Sequence, residues 1–402
     1  MSYVDRIATW RDGTTVVDGT AAGCNAGDYP EVHYDLVRIA AEVDRDELAT
    51  GPATLWRYAP LLPADDPANA VTLGEGWTPL LTVPQLAKRL ECERLWVKDE
   101  GRNPSGTFKD RGASVAMTRL RELDIKTAVH NSSGNAAGAW AMYAARAGIR
   151  CINLVPTDVL GASLQQSAMS GADTVLLDGP WQDSGAMVAD AVARHGWFNI
   201  GTLKEPHRLE GKKTMGLEIA EQFGWSLPDA IVYPTGGGLG AIAIYKAFRE
   251  LLALGWVPAG PLPKLIVTQY DGCAPLVRAF ESGVERAEVW EDLEVPPGGL
   301  KSTCPPGDQS VLGLLRETAG VAIAVSADEA IAAVGDVART EGLFPCPEVG
   351  TTVAGLRKAL AVGAVDRADR IVMMFTGTGL KSIPVLPEPQ FRTVTALSGL
   401  TA

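Results

Sequence analysis

Lys109 is the residue in this chain whose type and position most directly suggest chemistry. A short apolar strand over 95–97 leads into the turn NPSGTF, and Lys109 follows in the first turn of a predicted helix. Unpaired N–H groups at a helix start carry partial positive charge, which disfavours a protonated lysine there. A neutral amine is the form that makes a Schiff base with a carbonyl. Taken alone, the pattern also fits an ordinary solvated lysine.

Three clusters of small residues each follow an apolar strand. In HNSSGNAAG (130–138), Asn135 and free N–H groups begin a helix, where they could bind a phosphate or carboxylate or simply cap the helix. In YPTGGGLGAIAIYKAF (233–248), consecutive glycines precede a helix and predict a backbone site for phosphate, although no Walker A lysine follows. In MMFTGTGLK (373–381), the Thr376 hydroxyl could face a bound ring, or the segment is a plain turn.

These clusters are expected to meet, because ligands of open parallel sheets bind beyond the carboxyl ends of the strands. A lysine for an imine, a backbone site for a monophosphate and an amide for a ring oxygen together indicate pyridoxal phosphate. In such enzymes the cofactor supplies the carbanion chemistry, and the protein sets orientation and protonation. We therefore predict a pyridoxal 5′-phosphate cleft.

Short apolar strands alternate with helical patterns from residue 95 to the last strand at 370–375. This alternation predicts parallel sheets built from right-handed βαβ units. About nine such units exceed one small domain, so we expect an α/β protein with two doubly wound parallel-sheet lobes and the cleft between them. Residues 1–70 are less regular and are expected to form an N-terminal arm, with one helix over 35–50 and an aromatic packing strip, LWRYAPLLP, over 55–63.

Composition argues against several function classes. The net charge of −12 disfavours a nucleic-acid surface. The apolar runs are too short to span a bilayer, and the start shows no secretory signal pattern. Scattered cysteines and histidines have no metal-ligand spacing, so we expect reduced thiols, no metal site and a cytoplasmic location.

Four segments resemble fold-type II pyridoxal-phosphate enzymes, and the threonine synthase branch in particular. They are NPSGTFKDRG, SSGNAAGAWAMYAARAG, EPHRLEGKKTMGLEIAEQ and TGTGLK, and LWRYAPLLP resembles the N-terminal strip of threonine synthases. The similarity covers about residues 54 to 382. It implies a large cofactor-binding lobe over 71–110 and 206–390, a small mobile lobe over 111–205, and a tail over 391–402.

The resemblance implies roles in cofactor binding. Lys109 would form the Schiff base, Asn135 would contact the cofactor hydroxyl, and Thr376 would face the pyridine nitrogen. The cofactor phosphate would be wrapped by Gly236, Gly237, Gly238, Leu239 and Gly240. Glu348 either lies near the ring or is simply an acid at the start of a helix.

The resemblance also implies roles in substrate binding. Arg208 matches an arginine that binds a substrate phosphate. The substrate carboxylate would be held by Ser132, Ser133 and Gly134. Three lysines near Arg208 are less certain helpers for the phosphate and are expected to be solvent-exposed: Lys204, Lys212 and Lys213.

The implied protein is a homodimeric lyase that converts O-phospho-L-homoserine and water into L-threonine and phosphate. Several positions depart from the threonine synthase pattern: TLKE at 202–205, GGGLG without an asparagine, Thr378 in place of a histidine, and Cys24 without a paired cysteine. They keep a second hypothesis open, namely β-elimination or β- or γ-replacement on serine, threonine or another activated amino acid. A binding module without catalysis is disfavoured, because the lysine, the asparagine and the glycines are all present.

Overall fold

Two main β-sheets and their covering helices make up the chain, of which the computed structural model describes residues 2–16, 28–388, 390–391 and 393. The strands are β1 Val4–Thr9, β2 Pro30–Tyr34, β3 Leu80–Thr82, β4 Arg94–Asp99, β5 Thr127–Asn131, β6 Arg150–Pro156, β7 Asp173–Leu177, β8 Phe198–Asn199, β9 Ala230–Pro234, β10 Lys264–Tyr270, β11 Val321–Val325 and β12 Arg370–Phe375. The helices are α1 Leu36–Glu42, α2 Arg45–Leu48, α3 Pro84–Leu90, α4 Lys109–Glu122, α5 Asn135–Ala147, α6 Gly161–Met169, α7 Ser184–His195, α8 His207–Gln222, α9 Leu239–Ala253, α10 Pro275–Glu281, α11 Asp308–Glu317, α12 Ala327–Glu341 and α13 Pro347–Ala361. Cys24 and most of the predicted tail over 391–402 lie outside the described residues.

The larger sheet has six strands in the order β11–β10–β9–β12–β4–β3. Its strands are parallel except β3, which pairs antiparallel with β4. The smaller sheet has four parallel strands in the order β7–β6–β5–β8. Strands β1 and β2 form a separate antiparallel pair. The expected α/β class with two parallel sheets is confirmed.

Both faces of the larger sheet are covered, as the continuous apolar strands predict. Along β9, Ile231 packs in the same core as α8 and α9, whereas Val232 packs in the core with α12 and α13. Along β12, Val372 packs in the core with α8 and α9, and Met373 packs in the core with α12 and α13. Successive strand residues point to opposite faces, so a strand buried on both sides must be apolar throughout.

The smaller sheet also has helices on both faces. Its core against α4 and α5 includes Met117 and Trp140, and its core against α7 includes Val129 and Val188. The exact boundaries of the two lobes, and the mobility of the smaller one, stay predictions. In the part of the chain that the structure describes, no helix is both long and apolar enough to cross a membrane.

The single helix expected over 35–50 is wrong, because the segment forms α1 and α2. Between these two helices, Val43 and Asp44 have extended backbone angles. The Asp44 carboxylate accepts a hydrogen bond from the Asp46 N–H at 2.8 Å and so begins the second helix. An aspartate at this position stabilises a new helix start better than it stabilises a helix interior.

The aromatic strip of the arm packs inward, as predicted. Leu55–Leu61 is a 3₁₀ helix, and Tyr58 is fully buried. The indole N–H of Trp56 donates a hydrogen bond to the Ser114 hydroxyl at 3.0 Å, which links the strip to α4. Buried tryptophans usually find such a partner for their N–H group. The arm is therefore anchored on the helix that begins with Lys109.

Candidate active site

Three neighbouring strands bring the predicted cofactor residues together. In the larger sheet, β9, β12 and β4 lie side by side. Lys109 begins α4 after β4, Thr376 follows β12, and residues 236–240 connect β9 to α9, while Asn135 begins α5 in the smaller lobe. All of these residues and Arg208 line one cleft. Polar groups that converge in a concave site are typical of small-molecule binding.

The loop that carries Lys109 is hydrogen-bonded to the segment after β12. The Phe108 N–H donates to the Thr376 carbonyl at 3.1 Å, and the Thr378 N–H donates to the Gly106 carbonyl at 2.9 Å. Gly106 has a φ of +82°, and an added Cβ would lie 2.7 Å from the Thr378 side chain. The turn therefore needs glycine both for its left-handed backbone and for this close approach.

The electrostatic surroundings of Lys109 favour its neutral form. Burial and then the charge of Arg208 lower the pKa of Lys109 to about 7, while Glu348 acts in the opposite direction. The carboxylate of Glu348 lines the same cleft and accepts a hydrogen bond from the Gly299 N–H at 2.5 Å. A lysine with a pKa near neutrality can act both as a nucleophile and as a proton acceptor.

A buried ion network fixes the helix that begins with Lys109. The Arg111 guanidinium donates to Glu100 at 2.6 Å and to Glu218 at 2.5 Å, and Lys98 also pairs with Glu218 at 2.7 Å. These four side chains have no solvent exposure. Because they belong to β4, the turn after it, α4 and α8, the network joins the elements around the cleft. Charge-assisted hydrogen bonds of this kind restrict geometry strongly.

The glycine cluster forms a backbone site open to an anion. Gly238 has a φ of +89°, and no side chain caps the N–H groups at the start of α9. An added Cβ at Gly240 would overlap the Tyr233 hydroxyl, and one at Gly236 would lie 3.0 Å from the Gly299 carbonyl oxygen. Uncapped N–H groups at a helix start bind phosphate. The cluster therefore fits the phosphate of pyridoxal phosphate.

Asn135 and Thr376 present polar groups from opposite lobes. The Asn135 side-chain oxygen accepts a hydrogen bond from the Ser163 hydroxyl at 3.2 Å. Thr376 is 7% exposed, and its hydroxyl has no hydrogen-bond partner among the described residues. An amine, a phosphate site, an amide and a hydroxyl in one cleft match the aldehyde, phosphate, hydroxyl and ring nitrogen of the cofactor.

Arg208 enters the cleft from the first turn of α8. Its Nη1 donates to the Ile200 carbonyl at 2.9 Å, and its guanidinium lies 5.4 Å from the centre of the Trp140 ring. Glu205 accepts hydrogen bonds from the backbone N–H groups of His207 and Arg208 instead of pairing with the guanidinium. Burial lowers the pKa of Arg208 to about 10, which still leaves it cationic at neutral pH.

The expected exposure of two lysines near Arg208 is wrong. Lys204 is exposed as expected, but Lys212 is 1% exposed and lines the cleft, and Lys213 is fully buried. Lys213 pairs with Glu210 and Glu250, at 2.7 Å each. Both expectations failed because α8 is covered by α4 on one side and α9 on another. The polar side chains of α8 therefore form internal ion pairs or line the cleft, and they do not face solvent.

The three residues predicted to hold a substrate carboxylate lie just before α5. The Ser132 hydroxyl oxygen accepts hydrogen bonds from the N–H groups of Gly134 and Ala137, each at 3.1 Å. Ser132, Ser133 and Gly134 are not among the residues that line the cleft. Their role in substrate binding stays a prediction, and the observed contacts of the Ser132 hydroxyl hold the backbone at the start of α5.

Seven cleft residues were not predicted as site residues from the sequence: Phe108, Thr202, Tyr233, Pro234, Gly299, Leu300 and Cys346. In the sequence, the consecutive glycines Gly298 and Gly299 in the loop over 296–308 were the signal that could have pointed to this part of the cleft. In the structure, an added Cβ at Gly298 would lie 2.5 Å from the Glu348 carboxylate. The two alternatives that the sequence left open for Glu348, a place near the cofactor or at the start of a helix, do not exclude each other. It lies in the first turn of α13 and also lines the cleft.

Comparison with known sequences identifies the same chemistry. Residues 71–377 match the family described as "Pyridoxal-phosphate dependent enzyme". A threonine synthase of Methanosarcina acetivorans is 36% identical over 364 residues, which cover 89% of this chain and 88% of the relative. Threonine synthases of Methanocaldococcus jannaschii and Mycobacterium tuberculosis are 34% and 33% identical, over 91% and 82% of this chain and 90% and 89% of theirs. The expected resemblance to the threonine synthase branch is confirmed.

Solved structures of this class share the fold. Threonine deaminase isoform 2 from Solanum lycopersicum has a TM-score of 0.65 at 20% identity, covering 85% of this chain and 93% of that one. An L-serine ammonia-lyase from Rhizomucor miehei has a TM-score of 0.62 at 22% identity, covering 75% and 93%. The fold-type II architecture is thereby confirmed, and the chain belongs to the family of pyridoxal-phosphate dependent enzymes.

Proposed function

We propose that this lyase is a threonine synthase, which converts O-phospho-L-homoserine and water into L-threonine and phosphate. The observation that carries the proposal is that Arg208 faces the same cleft as Lys109 and the glycine cluster and has no carboxylate partner in the part of the chain that the structure describes. The cofactor phosphate has its own backbone site, so this second cationic group is available for a phosphorylated substrate. The curated relatives, all named threonine synthases, support the same activity.

Lys109 is the proposed proton carrier of the reaction. Pyridoxal phosphate, when bound, supplies an electron-withdrawing ring that stabilises negative charge on the substrate carbons. The Lys109 Nζ would remove the proton from the substrate Cα and later one from Cβ. Its pKa of about 7 suits both taking and returning a proton near neutral pH.

The proposed role of Thr376 is to hold the ring nitrogen through a neutral hydroxyl. A carboxylate at this position would keep the ring nitrogen protonated, whereas a hydroxyl allows it to stay neutral. The charge is then delocalised less strongly into the ring, which favours elimination and replacement over transamination. The location of Thr376 directly after β12, where it lines the cleft, supports this role.

Arg208 is proposed to bind the phosphate that leaves from Cγ. An arginine can donate two parallel hydrogen bonds to a phosphate, and a buried one does so with little competition from water. Its guanidinium therefore stabilises the negative charge that develops as the C–O bond breaks. The remaining Cγ would then take up a proton to become the methyl group, water would add its hydroxyl at Cβ and leave its proton to the released phosphate, and a proton would return to Cα to give threonine.

A second candidate is β-elimination on serine, threonine or an activated serine. The segment 202–205 favours it, since Thr202 is the residue of this segment that lines the cleft. Lys204 is exposed, and Glu205 is engaged in backbone hydrogen bonds at the start of α8. This segment therefore offers the Thr202 hydroxyl, but no side-chain amide, to a ligand in the cleft.

Substrate assays with the holoenzyme distinguish the two activities. Threonine and inorganic phosphate should form in equal amounts from O-phospho-L-homoserine, while serine and threonine should yield little ammonia or keto acid. Rapid keto-acid release from serine or threonine, without threonine formation from phosphohomoserine, would assign the second activity. The expected homodimer and cytoplasmic location stay predictions.

A further inference from the structure

Lys212 lies one helical turn after Arg208 on α8, and both side chains line the active-site cleft. Residues four apart on a helix share one face, so the two cationic groups form a pair. Lys212 is 1% exposed, and its Nζ makes no hydrogen bond or ion pair with any residue that the structure describes. Its Nζ lies 5.1 Å from the centre of the Phe108 ring. A buried ammonium group without a counter-charge is costly unless a ligand supplies one.

The charges around Lys212 are mostly positive. Burial and then the charges of Arg208 and Lys109 lower the pKa of Lys212 well below that of an exposed lysine, and Glu205 opposes this shift. Glu205 does not line the cleft, and the acid that does so among the described residues is Glu348, on α13. Three basic side chains thus face one carboxylate. A doubly charged anion would reverse this imbalance and favour the protonated amine.

The pair of Arg208 and Lys212 differs chemically from the glycine cluster that fits the cofactor phosphate. At the start of α9 the N–H groups have no side-chain cap, so an anion can bind the backbone. At the start of α8, Glu205 already accepts from the N–H groups of His207 and Arg208. An anion at α8 must therefore bind the side chains. The cleft thus has two chemically different anion sites, one made of backbone and one made of side chains.

We propose that Lys212 and Arg208 together form the site for the phosphate dianion of the substrate, and that Lys212 determines the preference for phosphorylated over unphosphorylated amino acids. This inference rests on the proposed function, because it concerns the substrate of that reaction. The planar guanidinium of Arg208 can donate two parallel hydrogen bonds to a phosphate, and Lys212 supplies the second positive charge that a dianion needs.

The test uses two ligands that differ only in the anionic group. L-2-Amino-5-phosphonopentanoate replaces the ester oxygen of phosphohomoserine with a methylene, so its phosphonate cannot leave, and L-norvaline has the same carbon chain without it. Their dissociation constants are measured with holoenzyme by titration calorimetry. Lys212→Gln should weaken phosphonate binding by about 10- to 100-fold, the effect of losing one buried charged hydrogen bond. Norvaline binding should change less than about twofold, because it has no dianion to lose.

Matched variants separate charge from structure. Lys212→Met should reproduce the selective loss, so the test survives if the glutamine variant does not fold. Lys88→Gln, at an exposed lysine of α3, should leave both ligands unaffected. An equal loss of norvaline and phosphonate binding, or no loss of either, would overturn the proposal. Failure of the proposed function looks different: wild-type enzyme would then make no threonine from phosphohomoserine, while the selective effect of Lys212 on the phosphonate persisted.

Discussion

The carbonyl oxygen of Thr376 accepts a hydrogen bond from the backbone N–H of Phe108 at 3.1 Å. This contact joins the residue that follows β12 to the residue that precedes Lys109. The proposed partner of the ring nitrogen and the proposed Schiff-base lysine are thus held by one backbone connection. A ligand bound between them meets groups whose separation is set by the sheet and does not depend on flexible side chains alone.

Replacement of Lys109 with alanine should abolish the reaction while leaving the fold intact. The amine is the proposed covalent attachment point and proton carrier, so kcat should fall by at least about a thousandfold. The absorbance band of covalently attached cofactor should also disappear, whereas the glycine cluster should still bind pyridoxal phosphate reversibly. Absorbance spectra, cofactor titration and circular dichroism measure the three effects. A Lys109→Ala enzyme that kept the band would refute the assignment of this residue.

Gly240→Ala should weaken cofactor binding. The new methyl group would overlap the Tyr233 hydroxyl, so the first turn of α9 must shift and disturb the phosphate site. We expect the dissociation constant for pyridoxal phosphate to rise at least about tenfold, as measured by fluorescence titration of cofactor-free protein. Gly313→Ala on α11 is the control, because an added Cβ meets nothing within 4 Å there. Equal cofactor affinity in the two variants would contradict this account of the glycine cluster.

The reaction of cofactor-free protein with pyridoxal phosphate should depend on pH through Lys109. Its pKa is lowered to about 7, so the neutral amine fraction rises between about pH 6 and 8 and then reaches a plateau. An ordinary lysine would continue to gain reactivity up to about pH 10. Stopped-flow absorbance measures the rate.

Two variants test the causes of this pH dependence. Arg208→Met removes a cation that lowers the pKa of Lys109, so the midpoint should move to higher pH. Glu348→Gln removes an anion that raises this pKa, so the midpoint should move to lower pH. Shifts in the same direction for both variants would be inconsistent with the electrostatic explanation.

Arg111→Met should destabilise the protein strongly. The change leaves the carboxylates of Glu100 and Glu218 buried with one of their cationic partners removed. Breaking a buried ion network in this way costs about 3–5 kcal/mol of the free energy of unfolding. Urea denaturation monitored by circular dichroism measures the loss. Arg102→Met breaks an exposed pair with Asp99 and should cost less than about 1 kcal/mol, so similar losses in both variants would argue against the network.

The amino-acid sequence by itself determined the alternation of strands and helices after residue 95 and indicated the cofactor. Lys109, Asn135, Thr376 and the glycines of 236–240 could be predicted as cofactor residues, and they line one cleft, because each belongs to a local strand–turn–helix segment. The chemistry of such a segment is encoded in consecutive residues. The apolar character of β9 and β12 likewise indicated strands buried on both faces.

Only the tertiary structure decided which of these segments are neighbours and which polar side chains are buried. The order β9–β12–β4 is not readable from the chain, since strand order depends on packing between distant segments. Lys204 and Lys212 look alike in the sequence, yet one is exposed and the other lines the cleft, because α8 is enclosed by α4 and α9. A local pattern specifies the conformation of a segment, whereas the burial and charge state of a side chain depend on every element packed around it.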